Sequence, residues 1–491
     1  MELEKVFTEL TSSSTITSVR AESVGRYVES PISFWCSLYA PEEMKDPIND
    51  FQQQLFDDGN AHESRVNDEL YPGSVVELFQ TEEEGFRRTL EMMAEGTPLL
   101  KNMPLLCRPQ CMEGRPDILE RVDGVASIFG RYSYRIVEVK LARNLKKSNK
   151  LQAAFYNRLL GQVQGYEPED FHMVNRDLEV IPIAMTDFHN ELDRVLDEML
   201  LVIGGKKVYA CYGSGKWPWE SYVNRSAVET NDVSLISGIG PAMREKLVAA
   251  EIYTVDDVSR ADVASLTAIK GIGNAMAQKV SLSAQAQMAG QPLRRGPELD
   301  VRRGRSEVFF DFEGVDPELE NEGLDKVNYL VGAIFRRGGS PPNFLPFFAE
   351  SPDDVEANLL EFLRWAQTLE DPVFYHWHFY EKIQLTKMVE HYGIDLDLAG
   401  VVMDNMVDLS PAATKTFAFP CYGQTLKDVA KSLGFSWRQD DVTGVGSMAL
   451  YQQYVDSGGA DEEARRKIVV YNEDDCLATM HIFDWLLAQE N

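Results

Sequence analysis

Arg115-Pro116-Asp117, about twenty residues of hairpin-like sequence ending in Tyr134-Arg-Ile-Val-Glu138-Val-Lys140, and then Gln152 and Tyr156 form the stretch around which the chain is organised. Apolar and β-branched residues fill much of Ala126 to Val139, which predicts a strand with Glu138 and Lys140 on one face, because side chains two apart point the same way. Asp117 is placed on the preceding strand. Two carboxylates held close repel each other, so the pair is stable chiefly with a divalent cation between them and a lysine beside the scissile bond. That is the chemistry of phosphodiester hydrolysis. Alone, a Glu-x-Lys on a strand is more often an exposed, solvated face.

Further residues narrow the choice. Leu151-Gln-Ala-Ala-Phe-Tyr156 puts Gln152 and Tyr156 four apart on one helical face, and Gly59-Asn-Ala-His62-Glu63 supplies an upstream histidine. Together with Asp117, Glu138 and Lys140 this order resembles the RecB-like branch of the PD-(D/E)XK nucleases. The resemblance implies a restriction-endonuclease-like α/β domain in which His62, Asp117 and Glu138 hold metal, Lys140 stabilises developing charge, and Gln152 and Tyr156 orient the substrate strand.

The chain has 491 residues, room for two to four domains, and a formal charge of -30. Such acidity repels nucleic acid in general, so binding would use local basic patches, divalent metals or high salt. One patch follows the candidate site, with Lys140, Arg143, Lys146, Lys147 and Lys150 and no acid among them; it reads equally as a solvated helix start. Without a signal peptide or a run of eighteen apolar residues, the expectation is a cytoplasmic protein with no membrane partner.

The six cysteines are Cys36, Cys107, Cys111, Cys211, Cys421 and Cys476. Some RecB-like nucleases, including exonucleases of CRISPR adaptation, carry a four-cysteine iron-sulfur cluster, and Cys36 occupies the place of its first ligand. The downstream trio is missing, which argues against a cluster and for cysteines that pack as small apolar residues.

Taken in order, residues 1–31 are a polar, partly Ser/Thr-rich segment with a weak claim to structure, and residues 32–228 form the nuclease-like domain. It closes with a strand at Leu178-Glu-Val-Ile-Pro-Ile and a helix around Glu191 to Leu201, whose Leu192, Val195, Leu196 and Met199 make a core-facing stripe. Residues 229–288 hold an internal repeat, Ser234-Leu-Ile-Ser-Gly238-Ile-Gly240 and Leu266-Thr-Ala-Ile-Lys-Gly271-Ile-Gly273, each followed by a helix. Glycines permit a tight turn and bring backbone N–H groups at the helix start close to a phosphate. The pair resembles a tandem helix-hairpin-helix module, a small all-α unit that grips nucleic-acid backbones without reading sequence; Gly238, Gly240, Lys246, Gly271, Gly273 and Lys279 are its binding candidates. Such modules also serve as spacers. Residues 289–305, with five arginines against two acids in Gln291 to Arg305, read as a basic linker.

In residues 306–491, Glu307-Val-Phe-Phe-Asp311-Phe-Glu313 is an apolar strand carrying two acids on one face, with Tyr329-Leu-Val-Gly-Ala-Ile-Phe as its antiparallel neighbour. A buried strand does not hold two acids without a counter-ion. Val469-Val-Tyr471-Asn472-Glu-Asp474-Asp475 puts Tyr471 and Asp475 on one helical face and Asp474 elsewhere, toward solvent. Gly423 to Trp437 reads as a closing helix buried through Leu426, Val429, Ala430 and Leu433, and Asp408 as a helix cap or an acid behind the site. These motifs resemble the DEDD exonucleases of the RNase H-like fold. The middle motif departs from theirs: His376-Trp-His-Phe-Tyr380-Glu381 places glutamate where the family has aspartate. The resemblance implies Asp311, Glu313, Glu381 and Asp475 as ligands of two Mg2+ or Mn2+ ions and Tyr471 as the residue that positions water.

The order of these parts resembles predicted prokaryotic RecB-like nucleases joined to an RNase H-like exonuclease domain. It implies a nuclease acting on nucleic acid, DNA ahead of RNA, in repair, recombination or defence. The alternative is a nucleic-acid-binding scaffold in which one or both sites are inactive.

Overall fold

A computed structural model of the chain describes residues 3–12, 18–296, 301–315, 327–338, 340–439 and 444–489. Parts of the N-terminal segment (13–17) and of the basic linker (297–300) lie outside the described residues. The chain divides into two compact units, Met1–Ile48 with Gln52–Arg225, and Asn49–Phe51 with Ser226–Asn491.

In the first unit, helices α1 (Ala21–Glu29) and α2 (Lys147–Gln164) accompany a five-stranded sheet: β1 (Leu99–Lys101), β2 (Ile118–Ser127), β3 (Gly130–Val139), β4 (Asp170–Val174) and β5 (Val180–Ala184), in spatial order 1-2-3-4-5. All neighbours are antiparallel except β3 and β4, which run parallel. Antiparallel strands can join by a tight turn, whereas a parallel pair needs a crossover, and α2 provides it. Its Leu151, Phe155 and Leu159 join Tyr134 and Ile136 of β3 in the core.

The first thirty residues are more structured than their composition suggests: helices span Leu3–Thr11 and Ala21–Glu29. Ala21, Val24 and Tyr27, each three apart, give α1 an apolar stripe that is buried against the core shared with α2. The strand expected from Leu178 begins at Val180 instead. Leu178 takes a left-handed φ of 62°, in a turn where the Asn175 side chain accepts from the N–H groups of Asp177 and Glu179 at 3.0 Å. The following helix runs His189–Ile203 and buries Leu192, Val195 and Met199, with Leu196 partly covered.

The second unit begins with the repeat. Its two second helices are α3 (Pro241–Ala249) and α4 (Asn274–Ala289). A five-stranded sheet follows, β6 (Ser306–Val315), β7 (Val327–Arg337), β8 (Asn343–Phe348), β9 (Pro372–His376) and β10 (Met406–Asp408), ordered 8-7-6-9-10. β8, β7 and β6 are antiparallel neighbours, while β9 and β10 join parallel to β6. Alternation sorts β6 between two layers. Val308, Phe310 and Phe312 pack with Phe347, Phe362 and Phe374 on one face. Phe309 packs on the other with Tyr375 and Phe483, the last from the long helix α5 (Glu462–Ala488). α5 therefore lies along the face that carries Asp311 and Glu313.

The helix expected over Gly423 to Trp437 is shorter, Leu426–Ser432, capped by the Thr425 hydroxyl and ended before Gly434, whose φ is +90°. Val429 and Ala430 are buried; Leu426 and Leu433 are partly so. Gln287 of α4 donates to the carbonyls of Leu235 (2.9 Å) and Cys421 (3.0 Å), tying the repeat to the sheet domain. Among the described residues no helix is long and apolar enough to cross a membrane.

Candidate functional site

β6 delivers Asp311 and Glu313 to one face because they are two apart, and α5 brings Asp475 over them. Among the described residues, these three carboxylates form the one acidic or thiol/imidazole group whose ligand atoms all lie within 4.8 Å of one another. Each has a neutral donor that aims it. Asn472 Nδ2 donates to Asp311 Oδ2 at 3.0 Å, and Trp437 Nε1 to Asp475 Oδ1 at 2.7 Å. Ser447 Oγ donates to Glu313 Oε2 at 2.7 Å while accepting from the Tyr329 hydroxyl at 3.0 Å. The oxygens are hard donors suited to Mg2+ or Mn2+, so the group fits a divalent cation.

The electrostatics agree. Burial, and after it the charges of Asp475, Glu313 and Glu381, push the Asp311 carboxyl well above the usual carboxylate range. Burial pushes Asp475 up to about 6 against the pull of Trp437 and Lys427. A cation among them would reverse that cost.

Glu381 lies on the helix Tyr380–His391, buried, with His376 Nδ1 3.2 Å from its Oε2. It stands outside the mutual 4.8 Å group, yet its charge helps to raise the Asp311 carboxyl. Tyr471 is buried beside Asp475; burial first, then Asp475, Glu313 and Asp311, hold its hydroxyl protonated, and Lys427 Nζ lies 4.7 Å from its ring centre. Asp474, expected toward solvent, is instead 1 % exposed. The correction has a simple cause: Arg438 reaches it from outside the helix, donating through its backbone N–H and Nε at 2.7 Å each. Asp408 caps the helix Leu409–Thr416 by accepting from Ser410 N, and also accepts from His378 N at 2.8 Å.

In the first unit, Asp117 immediately precedes β2 and accepts from Val139 N at 2.7 Å. Glu138 Oε1 accepts from Lys140 Nζ at 2.9 Å and from Gln152 Nε2 at 3.1 Å, while its Oε2 is buried without a hydrogen-bond partner. Burial and the Glu138 charge push Asp117 well above its ordinary range. Lys140 is raised too: burial opposes its charge, but Glu138 and Asp117 outweigh it. Tyr156 is raised by burial and by the same two acids. Five sequence-chosen residues thus share one buried locus.

His62 is placed differently. Burial pushes its imidazole down, so it is neutral, and its Nε2 is buried with no hydrogen-bond partner. Yet it forms no mutual group with Asp117 and Glu138. The neighbouring Glu63, held by Asn102 Nδ2 at 3.1 Å and Lys101 at 3.5 Å, is the helix residue whose charge acts on Asp117 and Lys140. The downstream basic patch is partly tied up, Arg143 with Asp177 and Lys147 with Glu191. Cys36, Cys107, Cys111 and Cys211 are buried.

In the repeat, Gly238 and Gly271 both take φ of +93°, and Gly240 and Gly273 occupy the N-caps of α3 and α4 with nothing within 4 Å of a built Cβ. The lysines cross over. Lys246 of α3 brings Nζ 2.7 Å from the Cβ position of Gly271, and Lys279 of α4 brings Nζ 3.8 Å from that of Gly238. Each open loop therefore has the other hairpin's ammonium beside it.

Compared with known protein families, residues 308–487 match the RNase H superfamily and residues 231–286 match the SAM-like helix-hairpin-helix tandem.

Proposed function

We propose that this chain, carrying an RNase H superfamily domain and a tandem helix-hairpin-helix module, is a metal-dependent nuclease with a 3'-5' exonuclease-like site in its second unit and a RecB-like PD-(D/E)XK site in its first. The observation that carries the reading is the mutual 4.8 Å grouping of Asp311, Glu313 and Asp475, three acids that repel one another unless a cation joins them. Mg2+ or Mn2+ bound there supplies Lewis-acid charge neutralisation and a nucleophile at neutral pH.

The protein's own residues do the rest. Asn472, Trp437 and Ser447 keep the three carboxylates aimed. Glu381, on a longer arm than the usual aspartate, reaches the same centre with His376 behind it. The protonated Tyr471 hydroxyl orients the attacking water through a hydrogen bond. At the other site Asp117 and Glu138 would hold metal, Lys140 would neutralise charge on the phosphate, and Gln152 and Tyr156 would direct the strand. Gly238, Gly240, Gly271 and Gly273, with Lys246 and Lys279, would grip the backbone, DNA ahead of RNA, in repair, recombination or defence.

The test is cleavage of end-labelled single- and double-stranded DNA and RNA in Mg2+ or Mn2+ by wild type, Asp117→Ala, Asp311→Ala and the double variant. Loss in one single variant names the working site. Binding without cleavage by wild type would leave the scaffold reading, which the Glu381 departure favours for the second unit.

A further inference from the structure

A cleft of about 560 Å³ opens at the end of the sheet where β6 begins and β7 ends, lined among others by Arg303, Arg305, Arg336 and Arg337. In a chain of formal charge -30, four guanidiniums in one place demand an account. Among the described residues their acids are three. Glu307 serves Arg303 at 3.5 Å and Arg336 at 2.8 Å, Asp484 serves Arg336 at 2.9 Å, and the single Glu370 is shared by Arg305 and Arg337. Each guanidinium carries five N–H donors, and one carboxylate cannot occupy two such forks. The side chains of Arg303, Arg305 and Arg337 line the cleft and are 59, 69 and 53 % exposed, so solvent and solutes reach them.

The backbone that carries Arg303 and Arg305 is also fixed in place. The Tyr375 hydroxyl donates to Arg302 O at 2.7 Å, Arg305 N donates to Asp371 Oδ2 at 3.3 Å, and Gly304 lies so close that an added Cβ would stand 2.4 Å from Asp371 O. The end of the basic linker is thus laid down as part of the domain. Preorganised arginine forks match phosphate oxygens bidentately. The cleft shares the face of the acidic centre: Glu307 precedes Asp311 by four strand residues, and Asp484 follows Asp475 by nine helix residues. At about 3.4 Å and about 1.5 Å per residue, both routes give a separation of about 14 Å.

We propose that this cleft is a second docking site for the phosphodiester backbone of the nucleic-acid strand. The inference rests on the nuclease reading and extends it to a place none of the motifs covers. It predicts that Arg303→Gln with Arg305→Gln weakens binding of an end-labelled single strand, measured by fluorescence anisotropy of the full chain in chelator, by about ten-fold. The slope of log affinity against log salt should fall by about 1.4, two contacts at about 0.7 each. Glu370→Gln removes the acid that competes for two arginines and should tighten binding about three-fold, with a steeper slope. Because this second variant works in the opposite direction, a folding defect in the first cannot imitate the result. Wild-type affinity and slope in both variants would overturn the inference alone, as would a Glu370→Gln variant that binds no tighter. A wild type that binds neither DNA nor RNA would overturn it together with the nuclease reading.

Discussion

Asp475 shows how burial and function meet in one side chain. Its ordinary value is 3.8 and burial raises it to about 6, so the folded, metal-free protein holds this proton to a higher pH than the unfolded chain does. A group raised on folding contributes stability that is complete below the unfolded value and is lost as pH rises through the folded one. In chelator, therefore, the melting temperature of the second unit should fall between about pH 4 and pH 6, and Mn2+ should restore it at neutral pH. Asp311→Asn removes a second acid that burial raises above its ordinary range and should lower cleavage at this site by about 10²-fold or more. A pH-independent melting curve for wild type in chelator would count against the acidic centre. Asp311, Glu313 and Asp475 were legible because periods of two and four place them on faces. Trp437 and Ser447 were not: they act across 38 and 134 residues of sequence, with no periodic tie to the acids they hold. Asn472 could have been found, since it precedes Asp475 by one helical turn.

Among elements, the contact of α5 with the β6–β7 ladder sets the site. Gly332, opposite Asp311 in the ladder, has no room for a side chain: its Cβ would stand 1.6 Å from Asn472 Oδ1. Gly332→Ala should cost about 1–3 kcal/mol in denaturant melts and reduce cleavage with it, because Asn472 must leave Asp311 or the helix must lift. The repeat offers a contrasting pair. Gly238 needs its left-handed φ of +93°, so Gly238→Ala should cost about 1–2 kcal/mol, whereas Gly240, extended and open, should accept alanine at a small fraction of that. Equal costs in the two variants would show that backbone strain does not govern these loops. The Gly-Ile-Gly pattern made both turns readable. The N-terminal helices escaped because Ser/Thr content hid a stripe of only Ala21, Val24 and Tyr27, which becomes stable through packing on α2 and not through propensity.

At the scale of the molecule, two units with separate cores should unfold as two calorimetric transitions. Gly332→Ala and Mn2+ should move only the one that belongs to the second unit, and a single transition shifted as a whole would show that the units unfold together. The charge of -30 also bears on the whole. Single-residue charge counts could not show which arginines gather in space, since Arg303 and Arg336 come from a linker and a strand end.

The crossed lysines of the repeat carry one more consequence. Because Lys246 attends the loop of Gly271 and Lys279 the loop of Gly238, neither hairpin is a self-sufficient part. A gene that lost one copy would strip the survivor of its cation, and a gene that gained a third would have no ammonium to lend it. The couple, and not the single hairpin, is therefore the smallest unit in which each loop keeps an ammonium beside it.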